Sequence, residues 1–256
     1  MNDARTLYLE LLKKSLTYLI YGEIYFDSLV QGEVGLVRPE VQDLQRRIEG
    51  RDWPGLADTM VGLKRLDNLQ FCIEDVLANS IPGQMIEAGV WRGGASIFMR
   101  GVLRAHGVTD RCVWVADSFE GLPPPNPGRY PVDDGDTMHT IAYLKVSLDQ
   151  VKMNFSRYGL LDKQVRFLKG WFKDTLPTLG NERWAVVRLD GDMYESTMDA
   201  LTNLYPHLSS GGYIIIDDYG AISACRQAVE DYRSKQGIRE EIHPIDWTGV
   251  FWQRKS

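Results

Sequence analysis

The sequence predicts an α/β fold in which helices cover both faces of a mostly parallel sheet. Short apolar runs alternate with segments whose apolar residues recur every three to four positions, the pattern of strands that alternate with helices. Glycines follow the first of these runs, and acidic residues follow several later ones, as at the carboxyl ends of parallel strands. The last two runs have no helix between them, which predicts an antiparallel edge.

The region before the sheet is predicted to form a helical and loop cover at 1–58. Residues 5–22 have apolar positions at helical spacing, whereas glycines and prolines interrupt 27–58. A longer amphipathic helix follows at 63–80 and ends at Ile-Pro-Gly, a helix stop signal. We therefore expect the first strand just beyond this point.

The alternation then continues through most of the chain. Strands are predicted at 84–89, 112–117, 164–170, 184–190 and 213–218, with the antiparallel pair in EEIHPID and GVFWQRK. Helices are predicted at 96–107, about 144–158, 197–208 and 222–237. The proline-rich segment 118–140 has no apolar period, and a loop of this length within a compact domain usually forms a lid. Because no linker interrupts the chain, a single domain is predicted over 1–256.

Composition restricts the class of function. The net charge of −6 is spread without a long basic run, so neither nucleic acid nor an anionic membrane surface is an expected partner. No apolar run reaches the roughly 18 residues that a membrane span requires, and no cleavage site follows the first helix. Cys72, Cys112 and Cys225 lie far apart without metal-type spacing, which favours reduced thiols in a cytoplasmic protein. We expect small-molecule substrates.

The stretch IEAGVWRGGAS at 86–96 combines a strand, a glycine turn and a helix start. Gly89, Gly93 and Gly94 let the backbone approach a ligand closely, and amide groups at the helix start would face it. The spacing differs from the G-x-G-x-x-G of dinucleotide sites, which argues against NAD. Asp117, one strand later, lies where an α/β nucleotide fold holds ribose hydroxyls. A simple tight turn with a capping acid is the alternative, but the two features together favour a cofactor loop.

Aspartates lie at the ends of two further predicted strands, in RLDGDMYEST and YIIIDDYG. Asp190, Asp217 and Asp218 should converge, because the carboxyl ends of parallel strands share one crevice. Like charges placed together recruit a cation, and an all-oxygen set suits Mg²⁺. The alternative is a set of separate helix caps, which is the commoner role of a single aspartate at such a junction. Three acids beside a cofactor loop favour the metal.

Asp192 is a candidate general base. Gly191 separates it from Asp190, so a sharp turn would aim its carboxylate at a substrate hydroxyl instead of the ion. His139, at the end of the lid, is the alternative base, because imidazole titrates near neutral pH. A lone histidine on a loop is, however, more often a surface residue.

The pattern E-x-G-x-x-x-G-G, followed one strand later by an acid, resembles the first two motifs of class I S-adenosylmethionine-dependent methyltransferases. Longer stretches, which together cover nearly the whole chain, resemble the TylF-type macrocin O-methyltransferases, a family that methylates deoxysugar hydroxyls on antibiotics. These stretches are IEAGVWRGGASIF, VADSFEGLP, NFSRYGLLDKQVRFLKGWFKDTLP, RLDGDMYEST and GGYIIIDDY. The resemblance implies a Rossmann-like seven-stranded sheet, S-adenosylmethionine, Mg²⁺ and a homodimer.

The resemblance also bears on single residues. It implies that Thr59 and Met60 lie beside the methionine part of the cofactor, and it points independently to the three metal ligands named above. Family position, together with proximity to the metal, also favours Asp192 over His139 as the general base. Segments 27–53 and 123–140 match least, and in the family such segments contact the acceptor. Trp91, Trp171 and Phe172 are the predicted aromatic neighbours of the adenine ring, and Gly170 would let the backbone come close to it. For Trp91, ordinary core packing is an equally good alternative.

The sequence thus predicts Mg²⁺-dependent methyl transfer from S-adenosylmethionine to a sugar hydroxyl of a glycosylated natural product, such as a macrolide or aminocoumarin antibiotic. One alternative is a catechol-like phenolic acceptor, since the same metal chemistry serves any vicinal diol. Another is an NAD-dependent oxidoreductase or a non-catalytic nucleotide-binding module. The predicted cofactor-binding residues are Thr59, Met60, Glu87, Gly89, Val90, Trp91, Gly93, Gly94, Ser96, Asp117, Ser118, Gly170, Trp171, Phe172 and Asp190.

Overall fold

A computed structural model describes residues 3–21 and 41–255. Residues 22–40 of the predicted cover, and the predicted acceptor contacts that fall on them, lie outside the described residues. Seven strands form one mixed sheet in the order β3-β2-β1-β4-β5-β7-β6. The strands are β1 Gln84–Ala88, β2 Val113–Asp117, β3 Val165–Lys169, β4 Trp184–Leu189, β5 Leu208–Ile216, β6 His243–Pro244 and β7 Val250–Gln253.

Strands β1 to β5 pair in parallel, whereas β7 runs antiparallel to both β5 and β6. The predicted seven-stranded, mostly parallel sheet with an antiparallel edge is thereby confirmed. Two boundaries differ from the prediction. Strand β5 begins earlier, and its pairing with β4 shifts register between Trp184 and Val186. Strand β6 is only two residues long, and Pro244 within it has no N–H to donate to a longer ladder.

Helices surround the sheet. They are α1 Ala4–Leu16, α2 Val41–Glu49, α3 Leu63–Ala78, α4 Gly94–Ala105, α5 Leu148–Arg157, α6 Phe172–Thr175, α7 Tyr194–Leu204 and α8 Ser223–Gln236. The short helix α6, after β3, was not predicted. The predicted lid contains turns of 3₁₀ helix at Pro131–Asp133 and Met138–Thr140. None of the helices described is both long and apolar enough to cross a membrane.

The two faces of the sheet carry separate apolar cores. Successive side chains of a strand point to opposite faces, so Met85 packs with α1, α3 and α4 on one side while Ile86 packs with α7 and α8 on the other. Phe98 on α4 is fully buried in the first core, and Trp252 on β7 is fully buried in the second. With both faces covered, ligands have access only at the strand ends, where the loops after β1, β2, β4 and β5 meet.

Removal of the Phe98 ring tests the first core. We expect Phe98→Ala to lower the free energy of unfolding by about 3–5 kcal/mol, because it leaves a cavity in a close-packed interior. Phe71→Ala is the matched control, since 51% of that ring is already exposed. It should cost about 1 kcal/mol or less. Urea denaturation of both variants measures the difference, and equal losses would contradict this view of the core.

Candidate functional site

The glycine loop after β1 is held between two other segments. Gly89 has φ +87, and a Cβ at this position would collide with the carbonyl oxygen of Asp190. The amide of Gly94 donates to the carbonyl oxygen of Asp58 at 2.9 Å, and a Cβ there would collide with the same oxygen. Both positions therefore require glycine, and the loop lies directly against the acidic loop after β4 and against residues 54–61, here called the strap.

The strap is fixed by arginines. The guanidinium of Arg92, in the glycine loop, donates to the carbonyl oxygens of Gly55 and Ala57, both at 2.8 Å. Arg47 on α2 donates to the carbonyl oxygen of Met60 at 2.7 Å. Thr59 is buried, and its hydroxyl accepts the amide of Val61 within the strap. The strap thus presents Met60 to the neighbouring cavity, while the Thr59 hydroxyl supports the strap itself.

A first cavity, here called the donor cleft for the role proposed for it, has about 810 Å³ of free space, part of it open to solvent, at the ends of β1, β2 and β4. The predicted residues that line it are Met60, Gly89, Val90, Trp91, Asp117, Ser118, Gly170, Trp171, Phe172 and Asp190. Sequence reasoning missed nine further lining residues: Gly121, Leu122, Pro123, Leu144, Lys173, Gly191 and, on α7, Glu195, Ser196 and Asp199. Helix α7 starts at Tyr194, three residues before its predicted start.

Asp117 links the loops around the donor cleft. Its carboxylate accepts the amide of Val90 at 2.8 Å and that of Phe119 at 2.7 Å, and its carbonyl oxygen accepts the amide of Gly170 at 2.9 Å. Burial raises the pKa of Asp117, and the backbone amides oppose this effect. The hydroxyl of Ser118 donates to the carbonyl oxygen of Gly121 and so holds the turn that follows. Both residues have structural partners in addition to their place on the cleft wall.

Some predicted cofactor residues lie behind the cleft instead of on its wall. Glu87 is buried and accepts hydrogen bonds from Arg188, at 2.6 Å, and from the hydroxyl of Ser96. Burial raises the pKa of Glu87 to about 7, although the charge of Arg188 opposes this. Gly93, Gly94 and Ser96 lie on neither this cavity wall nor that of a second, adjoining cavity, whereas Glu87 and Thr59 line the second cavity. These residues support the loops, and a ligand contact from any of them stays a prediction.

Three aspartates from two strand ends come together. Asp190, Asp192 and Asp218 each place one carboxylate oxygen within 4.8 Å of the others, a spacing that suits a cation. The turn between the first two was expected at Gly191, but the residue with left-handed backbone is Asp192 itself, at φ +56. Gly191 is small for another reason, because a Cβ there would lie 3.2 Å from the Cβ of Ser196.

Asp217, the remaining predicted metal ligand, has different partners. Its two oxygens accept hydrogen bonds from Arg188 and Arg65, and Arg65 also donates to Asp246 at 2.9 Å. Burial raises the pKa of Asp217, but the charges of both arginines outweigh it and hold the pKa below its ordinary value. Each carboxylate oxygen has two lone pairs, so these ion pairs leave capacity for another bond. Metal ligation by Asp217 stays a prediction.

Arg188 also bonds to Asp190, at 2.9 Å, but Asp192 and Asp218 have no arginine partner among the described hydrogen bonds. Burial, together with the charges of Asp190 and Asp217, raises the pKa of Asp192 to about 8. Burial and the charge of Asp192 likewise raise the pKa of Asp218 well above its ordinary value. Carboxyl groups that raise each other's pKa in this way cannot all be ionised at neutral pH without a counter-charge. The electrostatics of the cluster thus favour a bound cation.

A second cavity, here called the acceptor chamber for the role proposed for it, adjoins the donor cleft and has about 970 Å³ of free space, part of it open to solvent. Six residues line both cavities: Met60, Val90, Trp91, Leu144, Asp190 and Asp192. The chamber wall adds Trp53, Met138, Asp217, Asp218 and Trp247. The aspartate cluster of Asp190, Asp192 and Asp218 therefore lies where the two cavities meet. A group transferred between molecules bound in the two cavities would pass this point.

His139, the alternative base, is not placed on either cavity wall, although its neighbour Met138 lines the chamber. Its Nδ1 is buried and makes no hydrogen bond with any residue of 3–21 or 41–255. Trp91 lines both cavities and also packs, since its Nε1 donates to the carbonyl oxygen of Tyr143 and the Arg92 guanidinium lies 4.2 Å from its ring. The packing and ligand interpretations of Trp91 are compatible.

The chain is similar to known methyltransferases over nearly its whole length. The family model Macrocin-O-methyltransferase (TylF) matches residues 5–254. The chain is 59% identical over 256 residues to the 8-demethyl-8-(2,3-dimethoxy-α-L-rhamnosyl)-tetracenomycin-C 4′-O-methyltransferase of Streptomyces olivaceus, which covers 99% of this chain and 95% of that protein. It is 50% identical over 254 residues to the demethyldecarbamoylnovobiocin O-methyltransferase of Streptomyces niveus, at 99% and 95% coverage.

Solved structures agree. The O-methyltransferase NovP superposes with a TM-score of 0.91 at 49% identity, over 98% of this chain and 100% of that one. The calicheamicin methyltransferase CalS11 superposes with a TM-score of 0.62 at 17% identity, over 99% and 94%, which shows a shared fold. The chain therefore belongs to the TylF macrocin O-methyltransferase family and is an S-adenosylmethionine-dependent O-methyltransferase.

Proposed function

We propose that this enzyme transfers the methyl group of S-adenosylmethionine to a sugar hydroxyl of a glycosylated small molecule, with Mg²⁺ at the aspartate cluster. The observation that carries the proposal is the position of Asp190, Asp192 and Asp218 where the donor cleft meets the acceptor chamber. One relative is named for 4′-O-methylation of a rhamnosyl tetracenomycin, which supports a sugar acceptor. The homodimer implied by family resemblance stays a prediction that light scattering tests.

The donor cleft suits the parts of S-adenosylmethionine. Asp117, at the end of β2, is assigned to the ribose hydroxyls, because a carboxylate accepts hydrogen bonds from a diol. Trp171 and Phe172 line the cleft and offer flat faces to adenine. The strap, with Thr59 and Met60, is assigned to the methionine part. The reactive methyl group would then lie toward the wall that the cleft shares with the chamber.

The chemistry of the donor set fits Mg²⁺. More carboxyl groups than guanidinium groups meet here, since Arg188 and Arg65 compensate Asp217 while Asp192 and Asp218 have no arginine partner among their described hydrogen bonds. We assign Asp190, Asp217 and Asp218 as ligands, all of them hard oxygen donors. Bound Mg²⁺ supplies positive charge that stabilises a developing alkoxide.

Asp192 is assigned as the base that accepts the hydroxyl proton. It lies on both cavity walls, and its amide donates to Asp218 at 3.3 Å, which ties it to the ligand set. A sugar hydroxyl is a poor nucleophile at neutral pH, so a positioned carboxylate that takes its proton accelerates attack on the methyl group. The guanidinium of Arg188 donates to the carboxylate of Asp190 at 2.9 Å and so fixes this proposed ligand, two residues before Asp192.

An acceptor panel tests the reaction. Incubation with methyl-labelled S-adenosylmethionine and Mg²⁺ should label the sugar of an L-rhamnosyl tetracenomycin, and leave catechol essentially unlabelled. Mass spectrometry of the product locates the methyl group. Transfer to catechol alone would replace the sugar acceptor by the phenolic one, because both present a vicinal diol to the same metal.

Substitution of the proposed ligands tests the metal. Asp190→Asn and Asp218→Asn should each lower turnover by about 100-fold or more, since each removes an anionic ligand of the ion. Binding of S-adenosylhomocysteine, measured by calorimetry, should change little. Asp110→Asn, the same change at an exposed site, is the control. Full activity after thorough chelation with EDTA would refute metal dependence.

The metal should also bind more tightly as pH rises. The pKa of Asp192 in the folded, metal-free protein is about 8, above its ordinary value. Between pH 4 and 8 the Asp192 carboxyl group therefore keeps a proton that it would lose in the unfolded chain. A cation must displace that proton. Calorimetry at pH 6 and pH 8.5 should show higher Mg²⁺ affinity at pH 8.5, with proton release at the lower pH. An affinity independent of pH would contradict the proposed charge balance.

For the base, Asp192→Asn should lower kcat by about 10²–10⁴-fold while Mg²⁺ and S-adenosylhomocysteine still bind. Loss of Mg²⁺ binding together with activity would make Asp192 a ligand instead of the base. His139→Gln serves as the comparison and should retain most of its activity. The reverse pattern, an active Asp192→Asn and an inactive His139→Gln, would transfer the role to His139.

A further inference from the structure

A carboxylate of the lid caps the helix that follows the acidic loop. Asp133 is 2% exposed, and its two oxygens accept the amides of Tyr194 at 2.7 Å and Glu195 at 3.0 Å. Helix α7 begins with these residues, and its own N-cap residue, Met193, makes no side-chain cap. The free amides at this helix start are thus satisfied from the lid, far away in the sequence.

The capped helix start lies next to the proposed base. Asp192 precedes Tyr194 by two residues and has the left-handed backbone that side chains rarely adopt, at φ +56. Such a conformation persists only where the surrounding structure fixes it. On one side the amide of Asp192 bonds to Asp218, and on the other the chain enters α7 where Asp133 holds it. The fully buried Met193 also holds this segment, and loss of the cap would remove two of the hydrogen bonds that fix the chain just after the Asp192 turn.

The same lid segment reaches the acceptor chamber. The ring of Tyr130 lies 5.7 Å from that of Tyr194, so the lid contacts α7 through side chains as well. Beyond Asp133, Met138 lines the chamber, and Leu144 lines both cavities. The lid is therefore tied to the start of α7 at one point and forms part of the acceptor wall a few residues later.

We propose that Asp133 is a positioning residue that couples the seating of the lid beside the acceptor chamber to the orientation of the Asp192 carboxylate. The inference rests on the proposed role of Asp192 as base. A carboxylate at a helix N-terminus is favoured by the helix dipole and by two amide bonds, which together compensate its burial. Displacement of the lid breaks both bonds, so the base is fully ordered only when the lid is in place.

Asp133→Ala tests the coupling in the enzyme loaded with Mg²⁺ and S-adenosylhomocysteine. Hydrogen exchange should become faster both in residues 190–197 and in the lid, a readout that needs no acceptor. With L-rhamnosyl tetracenomycin, kcat should fall by about tenfold or more, because small misplacement of a catalytic group is costly. Affinity for S-adenosylhomocysteine should stay within about twofold, since Asp133 does not line the donor cleft.

Two variants separate positioning from stability. Asp133→Asn keeps one acceptor oxygen but sets an amide donor against the second backbone amide, so kcat should fall by less than in the alanine variant and still measurably. This smaller loss of kcat, with faster exchange at 190–197, carries the test if the alanine variant fails to fold, and unchanged kcat and exchange would then overturn the proposal. Asp3→Ala removes a side-chain cap from the remote helix α1 and should leave kcat unchanged. A lower melting temperature for Asp133→Ala with unchanged kcat and unchanged exchange at 190–197 would overturn the proposal.

A double-mutant cycle distinguishes failure of this inference from failure of the proposed function. If Asp133 acts through Asp192, adding Asp133→Ala to Asp192→Asn should cause little further loss of kcat. Equal losses in both backgrounds would overturn the coupling and leave the base assignment intact. A nearly normal rate for Asp192→Asn alone would overturn the base assignment, and the coupling with it.

Discussion

The buried guanidinium of Arg188 is the constraint on which the arrangement of the site depends. It lies on the central strand β4 and bonds to Glu87 on β1, to Asp190 at its own strand end, and to Asp217 beyond β5. Removal of this charge from water is unfavourable unless carboxylates surround it. Burial alone lowers the pKa of Arg188, but the charge of Asp217 and its neighbours holds it well above the ordinary value. One cation thus fixes the relative positions of three adjacent strand ends.

The fixed arginine also determines which acids remain available. Asp217 is neutralised by Arg188 and Arg65, whereas burial and the charge of Asp190 raise the pKa of Asp192, and burial and the charge of Asp192 raise that of Asp218. An apolar replacement of Arg188 would remove the charge partner of Glu87 and Asp190 and one of the two partners of Asp217, so repulsion among these carboxylates would increase. The buried ion pairs of Arg188 and the acidic cluster at the cavity are therefore two parts of one charge distribution, in which the proposed Mg²⁺ would add a second cation beside the permanent one.

Much of the fold follows from local pattern, because strands and helices have distinct apolar periods and the glycine and acidic residues fall at strand ends. The placement of Asp190 beside Asp218 could be predicted from that rule alone. The role of Arg188 could not be predicted, because in WAVVRLD it is simply one residue of a predicted strand and nothing in the sequence indicates its three carboxylate partners. Nor could the bond from Asp133 to Tyr194, because nothing in the sequence relates a loop position to a helix start far along the chain.

The absence of a side chain at Gly89 has a consequence for the evolution and engineering of the enzyme. Because that position touches the backbone of Asp190, the cofactor loop and the acidic loop cannot change shape independently. If the chamber holds the acceptor, as proposed, acceptor preference can vary at wall residues away from this contact, such as Trp53, Met138 and Trp247. A variant library intended to find enzymes for new glycoside acceptors should randomise those three positions and keep Gly89 and Asp190, where the two loops touch, unchanged.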